Sequence, residues 1–234
     1  MKLLLLSDIH GNYPALQAVL NQVGLVDKIF CLGDVAGYFP FLNETVELLA
    51  SLETLTCVMG NHDQVLLKEG LSTGSESADI AILVQRRFLK AETQHFLECL
   101  PVQVDVAVDG RLCHLFHGSL KDPVNGRDTF WESSGLPSGA YFFGHSHKPF
   151  IHSDQNRRRL IVNPGGCGLP RDGASGAAYA LVDTSEWHVS FCRASYPIDE
   201  VRDRCRSVGL PDRFWKSLEC GCWVRDNEHE TEIP

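Results

Sequence analysis

The stretch Met1-Lys2-Leu3-Leu4-Leu5-Leu6-Ser7-Asp8-Ile9-His10-Gly11-Asn12-Tyr13-Pro14 decides the fold. Four consecutive leucines read as a strand buried on both faces, as in a sheet covered by helices. A helix follows at once: Asn12 is suited to the N-cap, and Pro14 falls in the first turn, where its missing N–H leaves no bond unmade. Ala15, Leu16, Val19, Leu20 and Val23 then recur at helical spacing, and Gly24 stops the helix. The pattern continues with a strand over Asp27–Leu32, a helix over Asn43–Leu52 and a strand over Thr54–Met59. A β-α-β-α-β opening implies parallel strands joined by right-handed crossovers.

Further on, Gly70–Ser75 is loop-like and Asp79–Leu100 reads as one or two helices. Alternation then predicts a hairpin of Val104–Val108 and Leu112–Phe116 around Asp109-Gly110. Ala140–Phe143 is a strand, Phe150–His152 pairs with Leu160–Asn163, and Ala178–Asp183 pairs with Trp187–Arg193. A helix begins at Ile198, and 211–234 is a short helix with a charged tail. No repeat, low-complexity tract or linker divides the chain, so residues 1–234 are expected to form one domain. Two sets of strands interleaved with helices predict two sheets packed face to face with helices outside.

The composition excludes some functions. A net charge of −9 argues against a broad basic face for nucleic acid or acidic membranes. An anionic substrate stays open, because bound divalent cations would make a site locally positive. The N-terminal apolar run is too short for a leader peptide, and no stretch approaches the ~20 apolar residues of a membrane span. The expected location is therefore cytoplasmic. Of nine cysteines, Cys31, Cys57, Cys99, Cys113 and Cys192 lie in apolar segments and read as reduced core thiols. Cys220-Gly221-Cys222 reads the same way, or as half of a metal site that lacks its second pair.

Five segments carry the chemistry: Asp8-Ile9-His10, Gly33-Asp34, Gly60-Asn61-His62-Asp63, His117-Gly118 and Gly144-His145-Ser146-His147. Each ends an apolar run and delivers Asp, Asn or His just past a strand. Asp8 and His10, two apart, are expected on one side of the chain. Asp34 follows a glycine and carries two oxygens and a full charge, which suits it to bridge two cations. Asn61 offers a neutral oxygen, and His117, His145 and His147 offer imidazoles. Together they suffice for two divalent metals; nitrogen and oxygen donors without thiolate suit Mn²⁺, Fe or Zn²⁺, with manganese favoured. His114 is expected on the opposite strand face and is an alternative ligand only. His95, His152, His188 and His229 read as surface or helix residues. His62, oriented by Asp63, suits a general acid that protonates a departing alkoxide.

These motifs resemble those of the calcineurin-like metallophosphoesterases: Asp-x-His, Gly-Asp-x-x-Gly, Gly-Asn-His-Asp, His-Gly and Gly-His-x-His, in order over residues 8–147. Val162-Asn163-Pro164-Gly165-Gly166, Pro170-Arg171-Asp172-Gly173 and Gly33–Tyr38 are similar to small bacterial predicted phosphodiesterases of that superfamily, extending the likeness over about residues 1–195. The resemblance implies a four-layer αββα sandwich of two mixed sheets flanked by helices. It also implies one metal on Asp8, His10, Asp34 and His147, and another on Asp34, Asn61, His117 and His145, with His62 as leaving-group acid. The protein phosphatases of the superfamily carry Gly-Asp-x-x-Asp-Arg-Gly, whereas Val35, Ala36, Gly37 and Tyr38 follow Asp34 here. The phosphate-gripping arginine and its aspartate are thus missing, and Arg171 either contacts phosphate from another direction or is a surface residue. Gly166-Cys167 stands where relatives often have serine.

The expected function is hydrolysis of a small phosphate ester, a diester in preference. A pair of metals ~3.5–4 Å apart would generate hydroxide at neutral pH. A phosphomonoesterase, nucleotidase or protein phosphatase on the same site is the alternative. A non-catalytic scaffold of the retromer-subunit kind is a third reading, but such a chain is expected to have lost ligands or the acid. The natural substrate and oligomeric state are not written in the sequence.

Overall fold

Strand β1 (Lys2–Leu6) shows why an unbroken leucine run is used. Leu3 and Leu5 point into one apolar layer with Phe30, Val58, Leu115, Phe142 and Val162. Leu4 and Leu6 point the other way, among Leu16, Val19, Val46 and Leu49. All four leucines are fully buried. Each such burial is worth roughly 2 kcal/mol, so both faces of β1 contribute to stability. The computed structural model describes residues 1–126, 136–154, 156 and 158–224.

The first sheet has five strands. Its order is β10 (His188–Ala194), β9 (Ala177–Asp183), β1, β2 (Lys28–Cys31) and β3 (Leu55–Cys57). Strands β1, β2 and β3 run parallel, with Leu6 opposite Cys31 and Cys31 opposite Cys57. Strands β9 and β10 are antiparallel additions. The second sheet is ordered β4 (Gln103–Val108), β5 (Arg111–Phe116), β6 (Gly139–Phe142), β8 (Arg159–Asn163) and β7 (Phe150–Ser153). Here β5, β6 and β8 are parallel, and the edges β4 and β7 are antiparallel. The two mixed sheets and their flanking helices agree with the expected α/β sandwich.

Helix α1 (Tyr13–Val23) is capped as expected, with the Asn12 side-chain oxygen accepting from Ala15 N, and it ends at Gly24. With α2 (Leu42–Ala50) it packs on the outer face of the first sheet. The segment expected as one or two helices is two, α4 (Glu76–Phe88) and α5 (Ala91–Glu98). Helices α6 (Ile198–Ser207) and α7 (Arg213–Cys220) close on α4 and the Tyr38–Phe41 loop in a further apolar cluster. No described helix is long and apolar enough to cross a membrane.

Three expectations need correction. Residues Asn61–Leu67 form a helix, α3, that was not expected after β3. A glycine N-cap and a run of only seven residues left too short a periodic signal. Cys99 is exposed, although Cys31, Cys57 and Cys113 are buried free thiols. Cys220 and Cys222 are joined in a disulfide, so they are neither reduced nor half of a metal site. His229 lies outside the described residues, whereas His95, His152 and His188 are exposed as expected.

Candidate metal centre

The parallel strands of both sheets run out at the same edge, which is where open α/β sheets bind ligands. Asp8 and His10 follow β1, Asp34 follows β2 and Asn61 opens α3 just beyond β3. His117 follows β5, and His145 and His147 follow β6. The turns interlock: Asp8 N donates to Gly33 O at 3.1 Å, His10 N to Asp34 O at 2.9 Å, and Gly144 N to His117 O at 3.0 Å.

Seven described non-glycine residues have positive φ, and five are Asp8, His10, Asp34, His145 and His147. Each such residue costs of order 1–3 kcal/mol and persists only where the surroundings enforce it, which is characteristic of functional sites. This also corrects the geometric reason for pairing Asp8 with His10. β1 has ended at Leu6, and left-handed turns bring the two side chains together, not the pleat of a strand.

Outer contacts set the direction of the imidazoles. His10 Nδ1 lies 2.9 Å from Ala36 O, His117 Nδ1 2.7 Å from Leu32 O, and His147 Nδ1 2.5 Å from Leu169 O. A carbonyl only accepts, so each Nδ1 carries the proton and each Nε2 is left to act as a ligand. His147 Nε2 is 3.3 Å from Asp8 Oδ1 and 3.3 Å from His10 Nε2. His117 Nε2 lies 3.2 Å from Asp34 Oδ2 and 3.2 Å from Asn61 Oδ1, while His145 Nδ1 lies 3.0 Å from that Asn61 oxygen. All seven expected ligands therefore gather in one place. Asp8, His10 and His147 form one potential metal-holding group, and Asp8, Asp34 and His117 form another.

Burial shapes the charges. Neither oxygen of Asp8 has a hydrogen-bond partner, and the residue is fully buried. That burial raises its pKa to about 7, with the His117 charge opposing the shift and the Asp34 charge adding to it. Burial also holds His10 and His147 well below the ordinary imidazole range. Burial works against a charged His117 too, but Asp34 prevails and raises it to about 10. Asp34 itself stays ionised, since the surrounding imidazoles, His117 foremost, outweigh its burial. An unpartnered buried carboxylate beside neutral imidazoles is costly by itself and fits a divalent cation. The donors are nitrogen and oxygen without thiolate, as Mn²⁺, Fe or Zn²⁺ accept.

Asp63 departs from expectation. Asp63 does not orient His62: its Oδ1 accepts from Ala36 N at 2.7 Å and its Oδ2 from Gly60 N at 2.8 Å. It therefore ties the loop after Asp34 to the start of α3. His62 faces the site, with Nε2 3.8 Å from Asp34 Oδ2 and Nδ1 buried without a partner. Burial lowers its pKa. His114 is remote from the cluster, bonded to Asp105 at 2.9 Å and stacked on Tyr141.

Several supports were not foreseen. Gln85 is buried in α4 and braces the loop beyond Asp34, donating to Phe39 O at 2.7 Å and accepting from Gly37 N at 3.0 Å. Asn163 donates to Gly144 O at 2.6 Å and so steadies the turn that carries His145. Asn163 had a signal in its Asn-Pro-Gly-Gly context. Gln85 had none, since one polar residue on a helix looks like a solvated one. Cys167 is fully buried, with its amide on Ser7 O at 2.8 Å, and burial pushes its thiol pKa up, so it is a packing residue.

Above the cluster lies a cleft of about 620 Å³. Asp34, Asn61 and His62 contribute to its lining, as do Tyr38, Phe143 and Arg171. Comparisons with known proteins agree with this geometry. A family profile described as the calcineurin-like phosphoesterase superfamily domain matches residues 1–186. An uncharacterized protein of Methanocaldococcus jannaschii is 34% identical, covering 92% of this chain and 96% of that one. A metallophosphoesterase from Sphaerobacter thermophilus superposes with a TM-score of 0.81 at 30% identity, over 94% of this chain and 99% of its own. A hypothetical protein from Pyrococcus horikoshii OT3 reaches the same TM-score at 21% identity, over 95% and 99%, and shows likeness of fold.

Proposed function

This chain belongs to the calcineurin-like phosphoesterase superfamily, and from that premise we propose that it is a metal-dependent hydrolase of small phosphate esters, diesters in preference. One observation carries the reading. Asp34 lies between the two halves of the cluster, with Oδ2 3.2 Å from His117 Nε2 and 3.8 Å from His10 Nε2. A carboxylate so placed serves a site for two cations. Asp8, His10, Asp34 and His147 would hold one, and Asp34, Asn61, His117 and His145 the other. Bound divalent cations supply Lewis acidity and a nucleophilic water at neutral pH.

The chain's own residues do the rest. Buried, pre-oriented ligands need no rearrangement as the reaction proceeds, which is the source of electrostatic catalysis. His62 faces the cleft from the first turn of α3 and would donate an N–H to the oxygen that leaves. A neutral imidazole suffices for that hydrogen bond, consistent with its lowered pKa. Diester preference is supported by the cleft, which extends past the cluster to Tyr38, Phe143 and Phe150 and leaves room for a second ester group. The presence of all seven ligand-type residues in one cluster, six of them buried and His145 half-buried, speaks against a scaffold role.

The test is turnover of bis-p-nitrophenyl phosphate and p-nitrophenyl phosphate by the full chain. It is run with Mn²⁺, Fe²⁺ or Zn²⁺, and again after chelation. Metal-dependent turnover with the diester faster is the expected result. Failure to hydrolyse either ester with any of these ions would sink the reading, and a faster monoester would replace the diesterase by a phosphatase.

A further inference from the structure

The loop after β8 brings Arg171 to the wall of the cleft. Two bonds fasten this loop to a metal-ligand candidate: Arg171 N donates to His147 O at 3.3 Å, and Leu169 O accepts from His147 Nδ1 at 2.5 Å. The guanidinium is held from the side. Its Nη2 donates to the Tyr38 hydroxyl at 3.1 Å, and its Cζ lies 5.7 Å from the Tyr38 ring centre and 5.9 Å from that of Trp223. Nε is buried without a hydrogen-bond partner. Arg193, Arg202, Arg204 and Arg206 all pair with carboxylates, whereas no carboxylate pairs with Arg171 among the described residues. A cation with a buried, unsatisfied donor on a cleft wall calls for an anion from solution.

Trp223 comes from beyond α7, outside the residues 1–186 that the family profile matches. Its ring meets Tyr38 edge-on, with centroids 5.6 Å apart. The segment is strapped to the arginine loop, since Gly173 N donates to Gly221 O at 2.9 Å. At Gly221 a Cβ would stand 2.1 Å from Ala174 O, so only glycine permits this approach.

We propose that Arg171 is the substrate-phosphate clamp of this site and that the C-terminal segment Gly221–Trp223 fixes it in place. The proposal rests on the phosphoesterase reading above. Arg171 then binds substrate directly, and Trp223 is a positioning residue. The ligand chemistry is a phosphoryl group with at least one anionic oxygen, which a planar guanidinium grips better than a lysine does. The clamp stands beside the stretch after Asp34 that lacks an arginine, its Nη2 reaching the hydroxyl of Tyr38 in that stretch.

Calorimetric titration of inorganic phosphate into the Mn²⁺-loaded full chain tests this, alongside metal analysis. Arg171→Ala is expected to weaken phosphate binding by about 10–100-fold, the worth of one charge-assisted bond. Arg171→Lys should lose less. Trp223→Ala should weaken binding by a smaller factor, Trp223→Phe should restore it, and all four variants should keep wild-type metal content. Phosphate affinity in Arg171→Ala equal to wild type overturns the clamp, as does loss of metal from that variant. Unchanged affinity in Trp223→Ala overturns the role of the C-terminal segment. A wild type that binds phosphate yet hydrolyses no ester sinks the phosphoesterase reading and leaves the clamp standing. A wild type that hydrolyses esters while Arg171→Ala matches it sinks the clamp alone.

Discussion

The Nε2 atoms of His10 and His147 face each other across 3.3 Å, although 137 residues separate them. Each ring has committed its other nitrogen to a backbone carbonyl, of Ala36 and of Leu169 respectively. Two lone pairs therefore point at one another. Burial holds both imidazoles well below their usual range, so no proton settles between them at neutral pH. A cation bound here would convert this repulsion into two bonds, with the fully buried Asp8 beside them as its carboxylate partner.

From this arrangement, His147→Ala is expected to lower bound metal to about one equivalent per chain, because the ligands around Asn61 and His117 remain. Asp34→Asn, which alters the group between both halves, should lose most of the metal. Elemental analysis of desalted protein decides it. Full retention of both equivalents in His147→Ala would exclude that residue as a ligand.

Close packing against the ligands gives a second prediction. A Cβ on Gly60 would lie 2.1 Å from Asp34 Oδ1, and one on Gly37 would lie 2.1 Å from His10 Nδ1. Gly37 also sits at φ +144°, which side chains rarely adopt. Overpacking of this kind costs about 1–3 kcal/mol. Gly60→Ala and Gly37→Ala should lower the thermal midpoint and weaken metal binding, and wild-type values in both would show that the ligands move aside freely.

Asp63 offers a third. Its carboxylate satisfies two buried amides, on Ala36 and Gly60, and removing it strands both at roughly 1–3 kcal/mol each. Asp63→Ala should therefore lose stability, and metal affinity should fall by about 10–100-fold, as for other supports of a metal site. If Asp63 served only to orient His62, metal affinity would stay at the wild-type value while turnover fell. Titration with Mn²⁺ separates the two roles.

Legibility in the sequence followed the range of the physics. Leu3–Leu6 and the Asn12 cap announced a buried strand and its helix, because burial and capping are local. The residues that gather at the candidate centre were legible because most of them stand beside a glycine or end an apolar run. Three features depend on contacts between distant segments and leave no local trace. The Asp63 carboxylate turns to Ala36, Gln85 turns inward to Gly37 and Phe39, and Trp223 covers Arg171 from the far end of the chain. The left-handed conformations of Asp8, His10 and His147 were hidden for a related reason: nothing about Asp or His demands φ > 0 until the other sheet closes on them.

The His117–Asp34 pair yields a pH prediction whose sign is fixed. In the metal-free protein His117 titrates near 10, against an ordinary imidazole value of 6.5. A raised histidine contributes stability that is fully present below its unfolded pKa and is lost as pH rises through its folded one. Asp8 and Asp63, each raised to about 7, are largely deprotonated by about pH 8, so between roughly pH 8 and 10 the histidine dominates this cluster. Chelator-treated protein should thus become less stable as pH rises across that window. A cation must displace the His117 proton to bind Nε2, so its binding releases a proton and strengthens with pH over the same range. Thermal midpoints from about pH 8 to 9.5, with chelator and with Mn²⁺, are expected to diverge steadily, the metal-bound curve staying the flatter. Parallel curves would mean that His117 is either not protonated in the free site or not displaced by the metal.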